Sequence, residues 1–78
     1  MQVRVKLYGT LRRLSQEGTP GLWQGDLPRG TQIRDLIAIL GTSESEVAAA
    51  TIDGQLCPLE QEITEGMLIT LVTHVGGG

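Results

Sequence analysis

Aromatic residues are scarce in this chain, which has one Tyr (Tyr8), one Trp (Trp23) and no Phe. Proteins that bind single-stranded nucleic acid stack successive bases on aromatic side chains, and two such residues are too few for that. The net charge of −3 argues the same way, because nucleic-acid-binding domains usually carry a basic stripe. We therefore expect no nucleic-acid partner.

Cysteine and histidine each occur once, as Cys57 and His74. One cysteine cannot form an internal disulfide, and a zinc site needs three or four ligands, so we expect no metal site. Cys57 stands beside Pro58 in a short apolar segment, which favours a small, partly buried hydrophobic residue over a catalytic thiol. His74 is interpreted as a solvent-facing or hydrogen-bonded side chain. The glycines form no phosphate-binding loop.

Long hydrophobic runs are also lacking. No run approaches the roughly 20 residues that span a bilayer, and no signal peptide is recognisable, so we expect a cytoplasmic protein without a membrane partner. The 78 residues suffice for one domain. A domain of about this size buries only some 60% of its extended-chain surface, which leaves little room for an internal active site.

Two hydrophobic patterns define the first half of the chain. Apolar and polar residues alternate over residues 2–8, which predicts a half-buried strand, and 22–27 is predicted to pair with it across a loop at 10–21. A helix is then predicted to begin after Thr31 as N-cap and to end at Gly41. The apolar residues of that helix recur at i, i+3, i+4 and i+7: Ile33, Leu36, Ile37 and Leu40.

The second half of the chain contains three further strand signals. We predict strands over 47–52 and 56–59, joined by a tight turn at Asp53-Gly54, with Pro58 placing the second at a sheet edge. The last strand is predicted over 67–75. The loop carboxylates are interpreted as a solvated acidic surface: Glu44, Glu46, Glu60, Glu62 and Glu65.

The element order β-β-α-β-β-β predicts an α+β fold. One helix must cover one face of one sheet, because nothing else can bury its apolar stripe. A helix laid across a mixed sheet of four to five strands is the β-grasp, or ubiquitin-like, arrangement. We assign the domain to residues 1–75 and a flexible tail to 76–78.

Three glycines, Gly76, Gly77 and Gly78, end the chain. Glycine loses the most backbone entropy on ordering, so these residues contribute nothing to packing. They instead form a thin segment that fits a narrow channel, with an unhindered carboxylate at Gly78. The alternative interpretation is a frayed end or an expression scar.

The sequence resembles the MoaD/ThiS-type sulfur carriers, and the molybdopterin synthase small subunit more than the thiamin carrier. The resemblance covers nearly the whole chain and ends on a Gly-Gly terminus. Asp53 in place of Asn, Met67 after Gly66 in place of Asp, and the third glycine depart from the family pattern. The matching blocks are residues 3–14, 27–40, 50–54 and 65–71.

The resemblance implies a mechanism in which the chain is a co-substrate rather than an enzyme. An E1-like enzyme would bind the domain and thread Gly76 and Gly77 into its own ATP site. The Gly78 carboxylate would be adenylated and then converted to a thiocarboxylate, which would deliver sulfur to the large subunit of molybdopterin synthase. ATP and magnesium would be bound by the partner, so the chain itself would hold no cofactor.

Such partners need a docking face. If the core residues of the first strand point to the helix, Tyr8 lies on the opposite face with Arg4 and Lys6. Exposed apolar residues that cluster on a small domain suggest an interface, and the resemblance implies partner contacts there. The predicted contact residues are Tyr8, Leu56, Val72 and Val75.

Other functions use the same features. A protein modifier would join Gly78 to lysines of other proteins, a carrier could serve thiamin or a tungsten pterin, and an inert β-grasp interaction domain would not use its glycines. The sequence alone does not separate these alternatives.

Overall fold

The computed structural model describes residues 1–73, which contain five strands and one α-helix. Two segments of 3₁₀ helix, Gly9–Leu14 and Glu44–Glu46, connect them. The predicted order β-β-α-β-β-β is confirmed. The elements are β1 (Gln2–Leu7), β2 (Leu22–Asp26), α1 (Ile33–Leu40), β3 (Ala49–Ile52), β4 (Gln55–Cys57) and β5 (Leu68–Val72).

The strands form a single mixed sheet in the order β2-β1-β5-β3-β4. β1 and β5 are parallel, and the other three neighbouring pairs are antiparallel. The helix α1 buries Ile33, Leu36 and Ile37 in the core. This is the predicted β-grasp, with β4 at one edge as Pro58 indicated.

The core lies on one face of the sheet because the buried strand residues alternate with exposed ones. In β1, Val3, Val5 and Leu7 are buried and the residues between them are exposed. Val5 pairs with Ile69 and Leu7 with Leu71, and residues directly opposite in a sheet share a face. The alternation predicted for β1 is therefore confirmed, and Ile69 and Leu71 of β5 lie on the same buried face.

The segment predicted as a loop contains the 3₁₀ helix Gly9–Leu14, and the reason is one apolar residue. Leu11 is completely buried in the core, and the turn that places it there is closed by the Leu11 N–H donating to the Tyr8 carbonyl at 3.3 Å. Leu14, the other apolar residue of this helix, is partly buried and packs against the core. Two leucines are too few to define a period, so no pattern predicts this helix.

The predicted N-cap of α1 was one residue early. Thr31 is buried, and its hydroxyl donates to the Pro28 carbonyl at 2.7 Å instead of accepting from the helix. The N-cap is Gln32, whose backbone N–H donates to the Asp35 carboxylate at 2.9 Å. The predicted end at Gly41 is confirmed, since this residue is the left-handed C-cap.

The later strands are shorter than predicted. β3 begins at Ala49 rather than at residue 47, because the 3₁₀ turn Glu44–Glu46 extends the connection. β4 covers Gln55–Cys57 rather than 56–59 and ends before Pro58, which has no N–H for the ladder. β5 begins at Leu68 rather than at residue 67 and ends at Val72; residues 74 and 75 of the predicted strand lie outside the described residues.

Gly25 lies beneath the ring of Trp23. A Cβ at this position would meet Trp23 Cη2 at 2.4 Å and Cζ2 at 2.8 Å, so Gly25→Ala must displace the indole or the strand. We expect a loss of about 1–3 kcal/mol in the free energy of unfolding, the usual cost of overpacking. Urea denaturation monitored by Trp23 fluorescence measures it.

The matched control is the same substitution in a Trp23→Leu background, monitored by circular dichroism. Removing the indole also removes the clash, so Gly25→Ala should cost much less there. Equal costs in both backgrounds would contradict the contact as the cause.

Candidate functional site

The face of the sheet opposite α1 is the surface on which the sequence places a docking site. We call it the outer sheet face, and it consists of the strand residues that alternate with the core residues. Lys6 is opposite Thr70, Thr70 is opposite Thr51, and Thr51 is opposite Leu56. One row of side chains therefore crosses the face from β1 to the edge strand β4.

Tyr8 and Val72 are neighbours at one end of the outer sheet face, where the two central strands β1 and β5 finish. The register that pairs Leu7 with Leu71 brings Tyr8 beside Val72, and the Tyr8 N–H donates to the Leu71 carbonyl at 3.1 Å. The side chain of Tyr8 is 48% exposed, and Val72 is half-buried. Two of the predicted contact residues therefore lie side by side.

Leu56 lies on the same face but on the edge strand β4, apart from Tyr8 and Val72. It is 75% exposed, and β3 separates its strand from β5. Among the described residues, the large apolar side chains exposed on the outer sheet face are therefore Tyr8 and Leu56, with the threonines of β3 and β5 between their strands. Leu22, Leu68 and Val72 on the same face are half-buried. The fourth predicted contact residue, Val75, lies outside the described residues.

The outer sheet face is basic, although the chain carries a net charge of −3. Arg4 and Lys6 are exposed on β1, and Arg12 lines a shallow groove together with Lys6 and Tyr8. Within residues 1–73 the ion pairs engage Arg13, Arg34 and the N-terminal amine. Arg4, Lys6 and Arg12 form no ion pair there, so these three side chains are free to meet carboxylates of a partner.

The end of β5 is held from both sides. The Ala48 N–H donates to the Val72 carbonyl at 2.8 Å. On the opposite side, the backbone N–H of Tyr8 donates to the Leu71 carbonyl. Thr73 follows as the last described residue. Residues 74–78 thus follow a residue, Thr73, that lies at the end of the central strands beside Tyr8 and Val72.

The predicted reactive and threading residues, Gly78, Gly77 and Gly76, lie outside the described residues, as does His74. Their assignment, and the division of the chain into residues 1–75 and 76–78, stay predictions. What the structure adds is the place from which that segment departs.

Glu46 connects the two 3₁₀ segments, which corrects its interpretation as part of a solvated acidic surface. Its carboxylate accepts two hydrogen bonds from Arg13, at 2.5 and 2.8 Å, and one each from Thr10, at 3.0 Å, and Thr42. The hydrogen bonds from Arg13 are the main cause that lowers the pKa of Glu46 to about 2. No local pattern indicates this contact, because Arg13 and Glu46 are 33 residues apart.

The free thiol of Cys57 is partly buried and lies 3.5 Å from the Ala50 carbonyl, to which it donates. Burial raises the pKa of this thiol, which favours the unreactive protonated form. Residues 1–73 contain no cluster of three or more His, Cys, Asp or Glu side chains placed to hold a metal ion. In the same residues no helix is long and apolar enough to cross a membrane.

Comparison with known proteins identifies the family. The model of the ThiS family matches residues 5–78. The chain belongs to the ThiS family. The expected relationship to the MoaD/ThiS-type proteins is thereby confirmed, and this ThiS-family protein is one of the ubiquitin-like sulfur carriers and modifiers. No curated protein matches the chain.

Solved structures similar to this ThiS-family protein share its fold at low sequence identity. Small archaeal modifier protein 1 from Haloferax volcanii matches with a TM-score of 0.72 at 15% identity, covering 95% of this chain and 98% of that one. A putative molybdopterin converting factor subunit 1 from Pyrococcus furiosus matches with a TM-score of 0.71 at 22% identity and the same coverages.

A third similar structure is a complex. It contains subunits 1 and 2 of the molybdopterin-converting factor from Helicobacter pylori, and it matches with a TM-score of 0.63 at 24% identity over 100% of both chains. At such identities the likeness establishes the β-grasp fold, and the family match establishes the family.

The lowered pKa of Glu46 predicts a pH-dependent contribution to stability. A carboxyl whose pKa falls from 4.5 to about 2 on folding stabilises the fold fully above pH 4.5 and loses this contribution as the pH falls toward 2. The difference in free energy of unfolding between wild type and Glu46→Gln should therefore shrink over that range. Urea denaturation at a series of pH values measures it.

Glu44→Gln is the control, because Glu44 lies in the same 3₁₀ turn but makes no side-chain hydrogen bond within residues 1–73. Its difference from wild type should not follow that pH profile. A Glu46→Gln difference that stays constant from pH 5 to pH 2 would refute the assignment.

Proposed function

We propose that this protein is a sulfur carrier for the biosynthesis of molybdopterin, in its molybdenum or tungsten form. Its Gly78 carboxylate is adenylated by an E1-like enzyme, converted to a thiocarboxylate and consumed by the large subunit of the synthase. The observation that carries the proposal is the junction at Thr73. From there residues 74–78, which include the three glycines, follow the end of β5 beside a face with exposed apolar and basic side chains.

The chemistry requires two displacements, and both occur at the tail. An oxygen of the Gly78 carboxylate attacks the α-phosphate of ATP, and pyrophosphate leaves. A sulfide equivalent then attacks the acyl carbon, and AMP leaves with the bonding electron pair. The product is a thiocarboxylate, whose sulfur is a far better nucleophile than a carboxylate oxygen. The nucleotide, magnesium and catalytic side chains are the partner's, so this chain is a co-substrate.

The geometry limits where the nucleotide can lie. Five residues, 74–78, follow Thr73, and a fully extended segment of that length reaches at most about 18 Å. A partner that binds the outer sheet face must therefore place its ATP site within that distance of Thr73. Absence of Cβ atoms in the last three residues suits them to a narrow channel.

Two observations favour the pterin product over thiamin. The first block of the sequence, residues 3–14, resembles the molybdopterin branch, and the similar complex from Helicobacter pylori joins a protein of this fold to a second subunit of the molybdopterin-converting factor. A related large subunit is accordingly the proposed acceptor of sulfur from this chain.

Protein modification is the second candidate function, and the likeness to small archaeal modifier protein 1 favours it. The acyl-adenylate is the same in both cases. An amine of a target protein would then attack in place of the sulfide, AMP would leave, and an isopeptide bond would form. The products therefore separate the two functions.

Intact-mass measurement after incubation with the host's E1-like enzyme, ATP, magnesium and sulfide tests the proposal. We expect a mass gain equal to one oxygen-to-sulfur exchange, and no gain for the chain lacking Gly77 and Gly78. Circular dichroism of that truncated chain is the folding control. Conjugates of high mass would favour the modifier, and an unchanged mass with an enzyme that adenylates another carrier would refute both.

Docking through the outer sheet face predicts a defined kinetic effect. Tyr8→Ala should raise the KM for the carrier in adenylation about tenfold, which corresponds to ~1.4 kcal/mol of lost binding energy, since buried tyrosines often dominate interfaces. Pyrophosphate release at increasing carrier concentration measures the KM.

Ile39→Ala is the matched control. Ile39 is 53% exposed, similar to Tyr8, but lies on α1 rather than on the outer sheet face. It should leave the KM unchanged, and equal effects of the two variants would contradict docking through the outer sheet face.

A further inference from the structure

Gly9 and Thr73 are in contact where β5 ends. A Cβ built on Gly9 would lie 1.9 Å from Thr73 Oγ1 and 3.2 Å from Thr73 Cβ. Gly9 also has a φ of +63°, a backbone conformation that side chains with a Cβ disfavour. In contrast, a Cβ on Gly18 or Gly54, which also have positive φ, would meet nothing within 4 Å. Close approach to another residue therefore distinguishes Gly9 from these two glycines.

The backbone around Gly9 is held in place. Tyr8, directly before it, donates its N–H to the carbonyl of Leu71, and Leu11, two residues after it, is completely buried in the core. The Arg13 to Glu46 ion pair secures the end of the same 3₁₀ helix. Gly9 therefore cannot move away from a larger neighbour without disturbing β1, the core or this ion pair.

Thr73 is the part of this contact that can yield. Val72 before it is fixed by the hydrogen bond from Ala48 to its carbonyl, whereas Thr73 lies beyond the end of the strand. A β-branched side chain is stiff at χ1, so a collision with a Cβ at position 9 would be relieved largely by turning the Thr73 backbone. That turn would change the direction in which residues 74–78 depart.

We propose that Gly9 is a positioning residue for adenylation, because its contact with Thr73 sets the direction in which residues 74–78 leave the outer sheet face. This inference rests on the proposed function. Gly9 does not itself touch the reacting atoms. With the partner bound to the outer sheet face, the base of the segment and the nucleotide site are in a fixed relation, and a displacement of about 1 Å at the reacting atoms can lower the rate 100-fold.

The test compares four chains: wild type, Gly9→Ala, Gly18→Ala and the double variant Gly9→Ala with Thr73→Ala. Gly18→Ala introduces the same kind of φ strain without a collision. The double variant removes Oγ1 and Cγ2 of Thr73, so the nearest remaining atom is its Cβ at 3.2 Å. Pyrophosphate release by the host's E1-like enzyme gives kcat and the KM for each carrier.

For Gly9→Ala we expect kcat to fall about 10- to 100-fold, with the KM for the carrier within about twofold of wild type because the docking residues are unchanged. Gly18→Ala should match wild type in both constants. The double variant should recover most of the lost kcat. In the free protein, the amide resonances of Val72 and Thr73 should shift in Gly9→Ala and stay unchanged in Gly18→Ala.

Several results would overturn this role. They are an unchanged kcat in Gly9→Ala, an equal loss in Gly18→Ala, a loss that the double variant does not recover, or Thr73 resonances that do not respond to Gly9→Ala. A wild-type chain that is not adenylated would instead overturn the proposed function and this role with it, so the two failures are distinguishable.

Discussion

The parallel pairing of β1 with β5 at the centre of the sheet is the interaction on which the rest of the structure depends. It places Val5 opposite Ile69 and Leu7 opposite Leu71, all four completely or almost completely buried. Parallel strands cannot be joined by a tight turn, so the chain must cross over between them. The helix α1 is part of that connection, and it packs on the face where these four residues lie.

The same pairing creates the candidate site on the opposite face. Because α1 covers only one side, the residues that alternate with the core remain exposed on the other, and they include Arg4 and Lys6. The pairing also brings the end of β1 next to the end of β5. The Tyr8 N–H therefore donates to the Leu71 carbonyl, and Gly9 lies against Thr73. The outer sheet face and the position of Thr73 beside it both follow from the register of β1 with β5.

Features that depend on local periodicity could be predicted from the sequence. The alternation in β1 and the stripe from Ile33 to Leu40 follow from burial of one face, and both were found where the pattern placed them. Pro58 indicated the sheet edge for an equally local reason, because proline lacks the N–H that a second neighbour strand would need.

Features that depend on residues distant in sequence could not be predicted. Glu46 is one of several loop carboxylates in the sequence, and only the folded chain brings Arg13, Thr10 and Thr42 to it. Gly9 reads simply as the end of a strand, because nothing near it in sequence announces Thr73. The N-cap depends instead on a local choice: the Thr31 hydroxyl donates to the Pro28 carbonyl, three residues before it, rather than accepting from the helix, and composition does not reveal which of these hydrogen bonds forms.

The chemistry proposed for the tail explains how sequences of this fold can differ so widely. Once the carboxylate is adenylated, the nucleophile that the partner supplies decides whether sulfur transfer or amide formation follows. The carrier needs only a sheet that pairs its first and last strands, a face that partners recognise and an unhindered terminus. Those requirements constrain the backbone and few side chains. The similar structures keep the fold at identities of 15 to 24%, with TM-scores of 0.63 to 0.72.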